Sequence, residues 1–283
     1  MEKKMAHKVA FITGGASGIG RALAEELAEQ GVEVVLADRQ AALAEEVAHA
    51  IRQAGGKASA HELDVRDPQQ FQRVVDETVA RTGRIDYLFN NAGIGVAGEI
   101  AQYTLADWDD VLDVNVRGVA YGVQAVYPVM RAQGSGHIIN TASMAGLLPT
   151  GEAGSYAASK HAVVGLSKVL RVEAKQHGVR VSALCPGVIR TPIMLGGKYG
   201  RINLPPDAEP TMMSLWEQLK PMEPRVFARK TLRKVARNAP IIIVPSWWNL
   251  FWFVERLSPR LSLWLWGKLY GRIQRLLAPY RPQ

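Results

Sequence analysis

The chain has 283 residues, 48% hydrophobic and 21% charged, an ordinary globular balance with ample length for one large α/β domain or two small ones. A single cysteine, Cys185, excludes an internal disulfide and points to a reducing compartment, and six scattered histidines offer no metal-ligand spacing. The net charge of +8 is concentrated: from Arg225 onward there are 12 Lys and Arg against one acid, Glu255, so the remainder carries −3, an asymmetry that marks a tail meeting something negative.

The N-terminal "MEKKMAHKVAFITGG" has no long apolar run before its glycines. That argues against a signal peptide and for a cytoplasmic, non-secreted protein. Short β-branched runs follow in order: "KVAFIT", "VEVVLA", "RIDYLFN", "GHIINTA" and "VRVSALCPG". They read as buried parallel strands. Between them "GRALAEELAEQG", "QAALAEEVAHAIRQAGG" and "PQQFQRVVDETVARTG" carry apolar residues three or four apart and stop at glycine, as helices do. Strand alternating with helix predicts one doubly wound parallel sheet of about seven strands, covered on both faces. Residues 191–224, rich in Gly, Pro and Met, read as an irregular insertion, and "IIIV" at Ile241 to Val244 as the last strand. The expected division is a body over 1–245 and an extension over 246–283.

The first strand runs into "TGGASGIG", Thr13 to Gly20, and then into a helix. Gly14, Gly18 and Gly20 permit a tight turn and close approach of a pyrophosphate, and the helix start offers free N–H groups there, with Ser17 and Ile19 in the same loop. Asp38 ends the second strand, 18 residues beyond Gly20. A carboxylate there accepts hydrogen bonds from ribose hydroxyls and repels a 2′-phosphate, favouring NAD; the adjacent Arg39 keeps NADP open as the alternative.

With "NNAG" at Asn90 to Gly93 and "YAASK" at Tyr156 to Lys160, the chain resembles the short-chain dehydrogenase/reductase family from about Lys8 to Val244. Asn115 in "DVNVRG", Ser143 in "NTASMAG", and Pro186, Gly187 and Thr191 in "CPGVIRT" meet further positions of the pattern. The resemblance implies a Rossmann-type fold, a nicotinamide cofactor and the catalytic set Asn115, Ser143, Tyr156 and Lys160. Free tyrosine ionises near about pH 10, and lowering that by about 3 units takes about 4 kcal/mol of preferential anion stabilisation. Lys160, one helical turn from Tyr156, supplies part of that field together with an oxidised nicotinamide. By resemblance Lys160 also holds the nicotinamide ribose, Ser143 binds the substrate oxygen, and Asn115 anchors a water in a proton relay. Asp64 and Val65 are expected at the adenine, Asn91, Ala92 and Gly93 along the adenosine, and Pro186, Gly187, Val188, Ile189 and Thr191 at the nicotinamide. Cys185 reads as a buried filler, since no adjacent base is evident.

In this family substrate choice lies in the loop after "PGVIRTP". Here it holds Met194, Met212, Met213, Leu215 and Trp216, with Leu147 and Leu148 after Ser143. Methionine adapts to bulky apolar shapes, so the expected substrate is a lipophilic alcohol or its carbonyl, with Ser143, Tyr156, Leu148, Met194, Met212, Met213 and Trp216 around it. The tail "SWWNLFWFVERLSPRLSLWLWGKLYGR" holds five of the seven tryptophans. Its longest uncharged stretch, Asn238 to Val254, has 17 residues and two prolines, short of the roughly 20 apolar residues that span a bilayer. From Pro259 to Ala278 a helical wheel sets Lys268, Arg272 and Arg275 opposite Leu265, Trp266, Leu269, Ile273, Leu276 and Leu277. Three readings of this extension stay open: a membrane-surface helix, packing on its own body, or contact with another subunit of the homo-dimer or homo-tetramer common in the family. Nucleic acid is not expected. A fold-retaining membrane scaffold without turnover is the non-enzymatic alternative, and the intact catalytic set argues against it.

Overall fold

The computed structural model describes residues 7–203 and 205–280. Its strands are β1 (Val9–Thr13), β2 (Glu33–Asp38), β3 (Ala58–Glu62), β4 (Tyr87–Asn90), the two-residue β5 (Val96–Ala97), β6 (Gly136–Thr141), β7 (Val179–Pro186), the two-residue β8 (Arg201–Ile202) and β9 (Ile241–Val244). Its α-helices are α1 (Gly18–Glu29), α2 (Ala41–Gln53), α3 (Pro68–Thr82), α4 (Leu105–Leu112), α5 (Gly118–Gln133), α6 (Gly154–Ala174), α7 (Glu209–Gln218), α8 (Pro224–Ala236), α9 (Asn249–Leu257) and α10 (Pro259–Leu277).

Seven parallel strands form one sheet in the order β3-β2-β1-β4-β6-β7-β9, and β5 pairs with β8 apart from it. The apolar runs predicted as strands are β1, β2, β4, β6, β7 and β9, whereas β3, half-buried at the sheet edge with the sequence ASAHE, has no such run. β1 is buried along its whole length, because neighbours pair on both edges and helices cover both faces. Its side chains alternate: Ile12 packs with Leu23, Leu36 and Phe227 on one face, while Phe11 packs with Val35, Phe71 and Leu88 on the other. α3 shows how local chemistry sets an element. Asp67 accepts hydrogen bonds from the Gln69 and Gln70 N–H groups, Pro68 opens the first turn, and Gly83 closes the helix in the left-handed region at φ 72°.

The chain order reverses beside β1: β2 lies on one side and β4 on the other. The connections leaving the carboxyl ends of β1 and β4 therefore run to opposite sides of the sheet and leave a crevice, the usual binding place in a doubly wound sheet. A third apolar cluster sits toward that end, built on Met144, Leu148, Val163, Cys185, Ile243 and Trp248.

After β9 the chain forms the hairpin of α9 and α10, and this hairpin is folded onto the body. Tyr270 and Gln274 of α10 donate to Glu99 at 3.2 and 3.1 Å, and Gln274 also donates to Glu152 at 3.0 Å. The Tyr270 ring leaves no room for a side chain at Gly151, whose Cβ would lie 2.6 Å from it. The two-sided wheel drawn from the sequence is corrected here. Of its apolar side, Trp266, Ile273 and Leu277 turn inward, whereas Leu265, Leu269 and Leu276 are exposed beside the basic residues. The packed stripe runs Ser262, Trp266, Tyr270, Ile273 and Leu277, at the three- and four-residue spacing of one helix face. Among the described residues no helix is long and apolar enough to cross a membrane.

Candidate functional site

The glycine loop is tied down from two sides. Thr13 Oγ1 accepts the N–H groups of Asn91 at 2.9 Å and Ala92 at 3.0 Å, joining the ends of β1 and β4. Asp38 Oδ2 accepts the Ala16 N–H at 3.0 Å and its Oδ1 accepts the Gln40 N–H at 2.9 Å, joining the loop to the end of β2. Gly18 starts α1 at φ 52°, a conformation that disfavours any side chain. Gly20 acts differently from expectation. A Cβ there would sit 2.0 Å from the Gly14 carbonyl oxygen, so it permits close packing of α1 under the loop and does not line the crevice.

Gly14, Ser17, Gly18, Ile19, Asp38, Arg39, Asp64, Val65, Asn91, Ala92, Gly93, Pro186, Gly187, Ile189 and Thr191 all line one elongated crevice, as the sequence predicts. Val188 is the exception: its side chain faces a second cavity on the other side of the backbone. The alternation of an extended segment explains it, since Met222 accepts from the Arg190 N–H and donates to the Val188 carbonyl, both at 3.0 Å. Arg39, the residue that keeps a 2′-phosphate open, is engaged by Asp64 at 3.4 Å and lies over the Tyr199 ring at 4.4 Å. Tyr199 also lines the crevice and was not foreseen.

At the far end of the crevice the four predicted catalytic residues converge from three elements. Tyr156 and Lys160 lie one turn apart on α6, Ser143 follows β6, and Asn115 sits in a π-turn, Asp113–Arg117, between α4 and α5. The turn after Ser143 is pressed onto α6: a Cβ at Gly146 would lie 2.5 Å from the Lys160 carbonyl oxygen. This close packing fixes Ser143 beside Tyr156. Lys160 Nζ donates to the Thr141 carbonyl at 2.9 Å. Gly93 approaches the same point, where a Cβ would stand 3.2 Å from Asn115 Oδ1 and 3.4 Å from Lys160 Nζ. The Asn115 side chain is occupied by protein partners. Its Oδ1 accepts the Ile94 N–H at 2.9 Å, and its Nδ2 donates to the Ile94 carbonyl at 3.0 Å and to Ser159 Oγ at 3.1 Å. It therefore braces the β4 loop against α6.

Burial governs the electrostatics. Burial lowers Lys160 to about 8, with Cys185 opposing weakly. Burial also raises Tyr156 above the ordinary phenol value, a shift the Ser143 hydrogen bond partly offsets. The protein alone thus leaves Tyr156 protonated, and the lowering expected from the sequence needs the positive charge of an oxidised nicotinamide as well. Cys185 is pushed up to about 12, chiefly by burial, which fits an inert filler.

The crevice fits a dinucleotide: its wall has no room for a side chain at Gly14 or Gly18, where a Cβ would stand 2.9 Å from Ala92 and 3.2 Å from Thr191, α1 presents its N-terminus, and Asp38 stands at the end of β2. A second cavity meets it at Ser143, Tyr156, Pro186 and Gly187. Its walls are largely apolar and include the predicted Leu148, Met194, Met212 and Trp216. Met213 is not among them. On α7 residues 212 and 216 share one face, which Leu219 just past the helix end continues, and Met213 is rotated about 100° away. Leu219 lines the cavity in its place.

Sequence reading also missed Trp248 and Trp266, which close the cavity from the tail. Trp248 is buried, and its Nε1 has no hydrogen-bond partner. A Cβ at Gly187 would lie 2.2 Å from that nitrogen. The four-residue recurrence Ser262, Trp266, Tyr270 was the available signal, but grouping the helix by charge hid it.

Comparison with known proteins agrees with this architecture. The family model described as short chain dehydrogenase matches residues 8–196. Cyclohexanol dehydrogenase of Acinetobacter sp. (strain SE19) is 38% identical over 195 residues, 69% of this chain and 78% of that protein. Levodione reductase of Leifsonia aquatica is 41% identical over 190 residues, 66% of this chain and 71% of that protein. Among solved structures, a short chain dehydrogenase/reductase from Burkholderia phymatum in complex with NAD superposes with a TM-score of 0.81 at 32% identity, covering 91% of this chain and 95% of that one. With its seven-stranded parallel sheet, glycine loop and Ser143, Tyr156 and Lys160 at the head of the crevice, the chain belongs to the short-chain dehydrogenase family.

Proposed function

We propose that the protein is an NAD-dependent oxidoreductase that interconverts a lipophilic alcohol and its ketone or aldehyde. The observation that carries this reading is the meeting of two cavities at Ser143 and Tyr156, one lined by the glycine loop and Asp38, the other by apolar side chains. A bound nicotinamide supplies the hydride acceptor or donor. Tyr156 exchanges the proton with the substrate oxygen, donating it in reduction and accepting it in oxidation. Ser143 donates a hydrogen bond to that oxygen and stabilises its developing charge. Lys160, near the head of the crevice beside Gly93, holds the nicotinamide ribose and keeps a positive charge near the phenol. Asn115 holds the loop and α6 in register through Ile94 and Ser159.

NAD is favoured because the buried Asp38 carboxylate faces the adenosine end of the crevice while Arg39 is already engaged by Asp64 and Tyr199. The apolar walls of the second cavity favour a ring or long-chain substrate, and cyclohexanol and levodione in the names of two relatives support a cyclic one. The exposed Val169 and Val172 on α6 support a second copy of the chain as partner. Steady-state turnover against cyclic, long-chain and steroidal alcohols, beside sugars and polyols, tests the substrate class; best turnover of polyols overturns it. Tighter binding of NADPH than of NADH overturns the cofactor assignment. Tyr156→Phe is expected to lower kcat by at least about 100-fold while NADH still binds.

A further inference from the structure

A helix on the surface of a water-soluble protein turns its apolar side to the body and its polar side to solvent. The α9–α10 hairpin does less of this than its composition requires. Inward, α10 presents Ser262, Tyr270 and Gln274 among its contacts. Outward, Leu250, Phe253 and Leu257 of α9 are exposed, as are Leu261, Trp264, Leu265, Leu269 and Leu276 of α10. Leu257 and Trp264 are 70% and 55% accessible, too open to be counted as partly covered core. Large contiguous apolar faces on soluble proteins mark interaction sites.

The charges on this face select the partner. Arg256, Arg260, Lys268, Arg272 and Arg275 lie on these two helices, against one acid, Glu255. Farther back in the chain, Arg225 and Arg229 are taken up by Glu25, Glu26 and Glu29 of α1. On the hairpin, by contrast, Arg256 and Lys268 lie over the rings of Trp252 and Trp264, at 5.2 and 4.1 Å. A second copy meeting this face about a two-fold axis would set cations against cations, which opposes association. Leucine and tryptophan interleaved with long cationic side chains suit the headgroup boundary of an anionic bilayer, where the alkyl stems lie in the apolar layer and the charges reach phosphate.

We infer that the outer face of α9–α10 docks the protein on an anionic phospholipid surface. The inner face of the same hairpin closes the apolar cavity with Trp248 and Trp266. Substrate dissolved in lipid is then about one helix diameter from the site; this last point rests on the proposed lipophilic substrate, whereas docking does not.

The test is co-sedimentation of the full chain with vesicles of phosphatidylcholine alone and of phosphatidylcholine with phosphatidylglycerol. Quenching of tryptophan fluorescence by brominated lipid reports depth. Expected are binding to the anionic vesicles, with quenching reduced in Trp264→Phe. Leu261→Glu with Leu265→Glu is expected to abolish binding. Reversal of Lys268, Arg272 and Arg275 to Glu is expected to weaken it at least roughly 100-fold. None of these side chains lines either cavity, so NAD-linked turnover of a water-soluble alcohol serves as the folding control and is expected to be unchanged. Absence of binding, equal binding to both vesicle compositions, or binding unaffected by the variants overturns the inference. So does a concentration-dependent dimer that Leu261→Glu with Leu265→Glu dissolves. Lipophilic turnover without vesicle binding refutes docking and leaves the proposed function standing; vesicle binding without lipophilic turnover does the reverse.

Discussion

Replacing Lys160 by Met removes a buried cation from the apo protein, and the consequence for stability has a defined pH dependence. Lys160 is 3% accessible, and burial lowers it from 10.5 to about 8. In the unfolded chain it keeps the ordinary value. Below pH 8 both states hold the proton, and the native state carries the full desolvation cost, about 3 kcal/mol at about 1.4 kcal/mol per unit. Between pH 8 and 10.5 the unfolded state binds more protons than the native state, so stability rises with pH. From pH 8 to 10 the wild type is expected to gain about 2 kcal/mol relative to Lys160→Met. Cys185, whose thiol is pushed up to about 12 by burial although the Lys160 charge draws it down, stays protonated in both native proteins from pH 8 to 10, so its trend of opposite sign cancels in the difference between them. At pH 7 the variant also forfeits the 2.9 Å hydrogen bond to the Thr141 carbonyl. That offsets about 1–3 kcal/mol of its gain and makes the slope a better measure than the absolute value. Urea unfolding of both proteins at 25 °C between pH 7 and 10, without cofactor, gives the curve. A difference that stays flat across pH 8 to 10 refutes the reasoning that Lys160 is a desolvated ammonium held at a cost for function.

Three further outcomes follow from the site. Asp38→Asn is expected to weaken NADH binding and improve NADPH binding relative to it by about ten-fold or more, read by fluorescence titration, with some loss of stability because both carboxylate oxygens accept backbone N–H groups. Gly187→Ala places a Cβ 2.2 Å from Trp248 Nε1; displacing the indole is expected to cost about 1–3 kcal/mol in urea unfolding and to lower turnover. Trp266→Ala removes a wall of the apolar cavity and is expected to raise KM for small cyclic alcohols while bulkier ones gain in kcat/KM, measured on a graded substrate series.

The parts of this molecule that were legible in the sequence are those whose constraints are local. β1 announces itself because a strand buried on both faces must be apolar along nearly its whole length. The glycine loop is readable because its backbone needs positions without Cβ, and Tyr156 with Lys160 because four residues make one helical turn. Long-range packing was not legible. Gly20 looked like a phosphate contact until the Gly14 carbonyl was seen behind it. Val188 and Met213 were assigned by proximity in the chain, but the alternation of an extended segment carried Val188, and a rotation of about 100° on the helix carried Met213, away from the expected face. The tail was set apart as an extension over 246–283, with packing on its own body as one of three readings, and nothing local showed that Trp248 and Trp266 complete the second cavity. Which face of α10 turns inward is decided by Glu99, Glu152 and Gly151, more than a hundred residues upstream.

That single helix carries two sets of constraints on opposite sides. Each inserted or deleted residue rotates everything beyond it by about 100°. One extra residue before Trp266 would take the indole out of the cavity, separate Tyr270 and Gln274 from their carboxylate anchors, and turn a leucine toward Glu99. α10 is therefore expected to tolerate substitution on its outer side far better than any change in length, and a deep mutational scan that includes single-residue insertions between Pro259 and Tyr270 would display the difference as a sharp block of inactive variants.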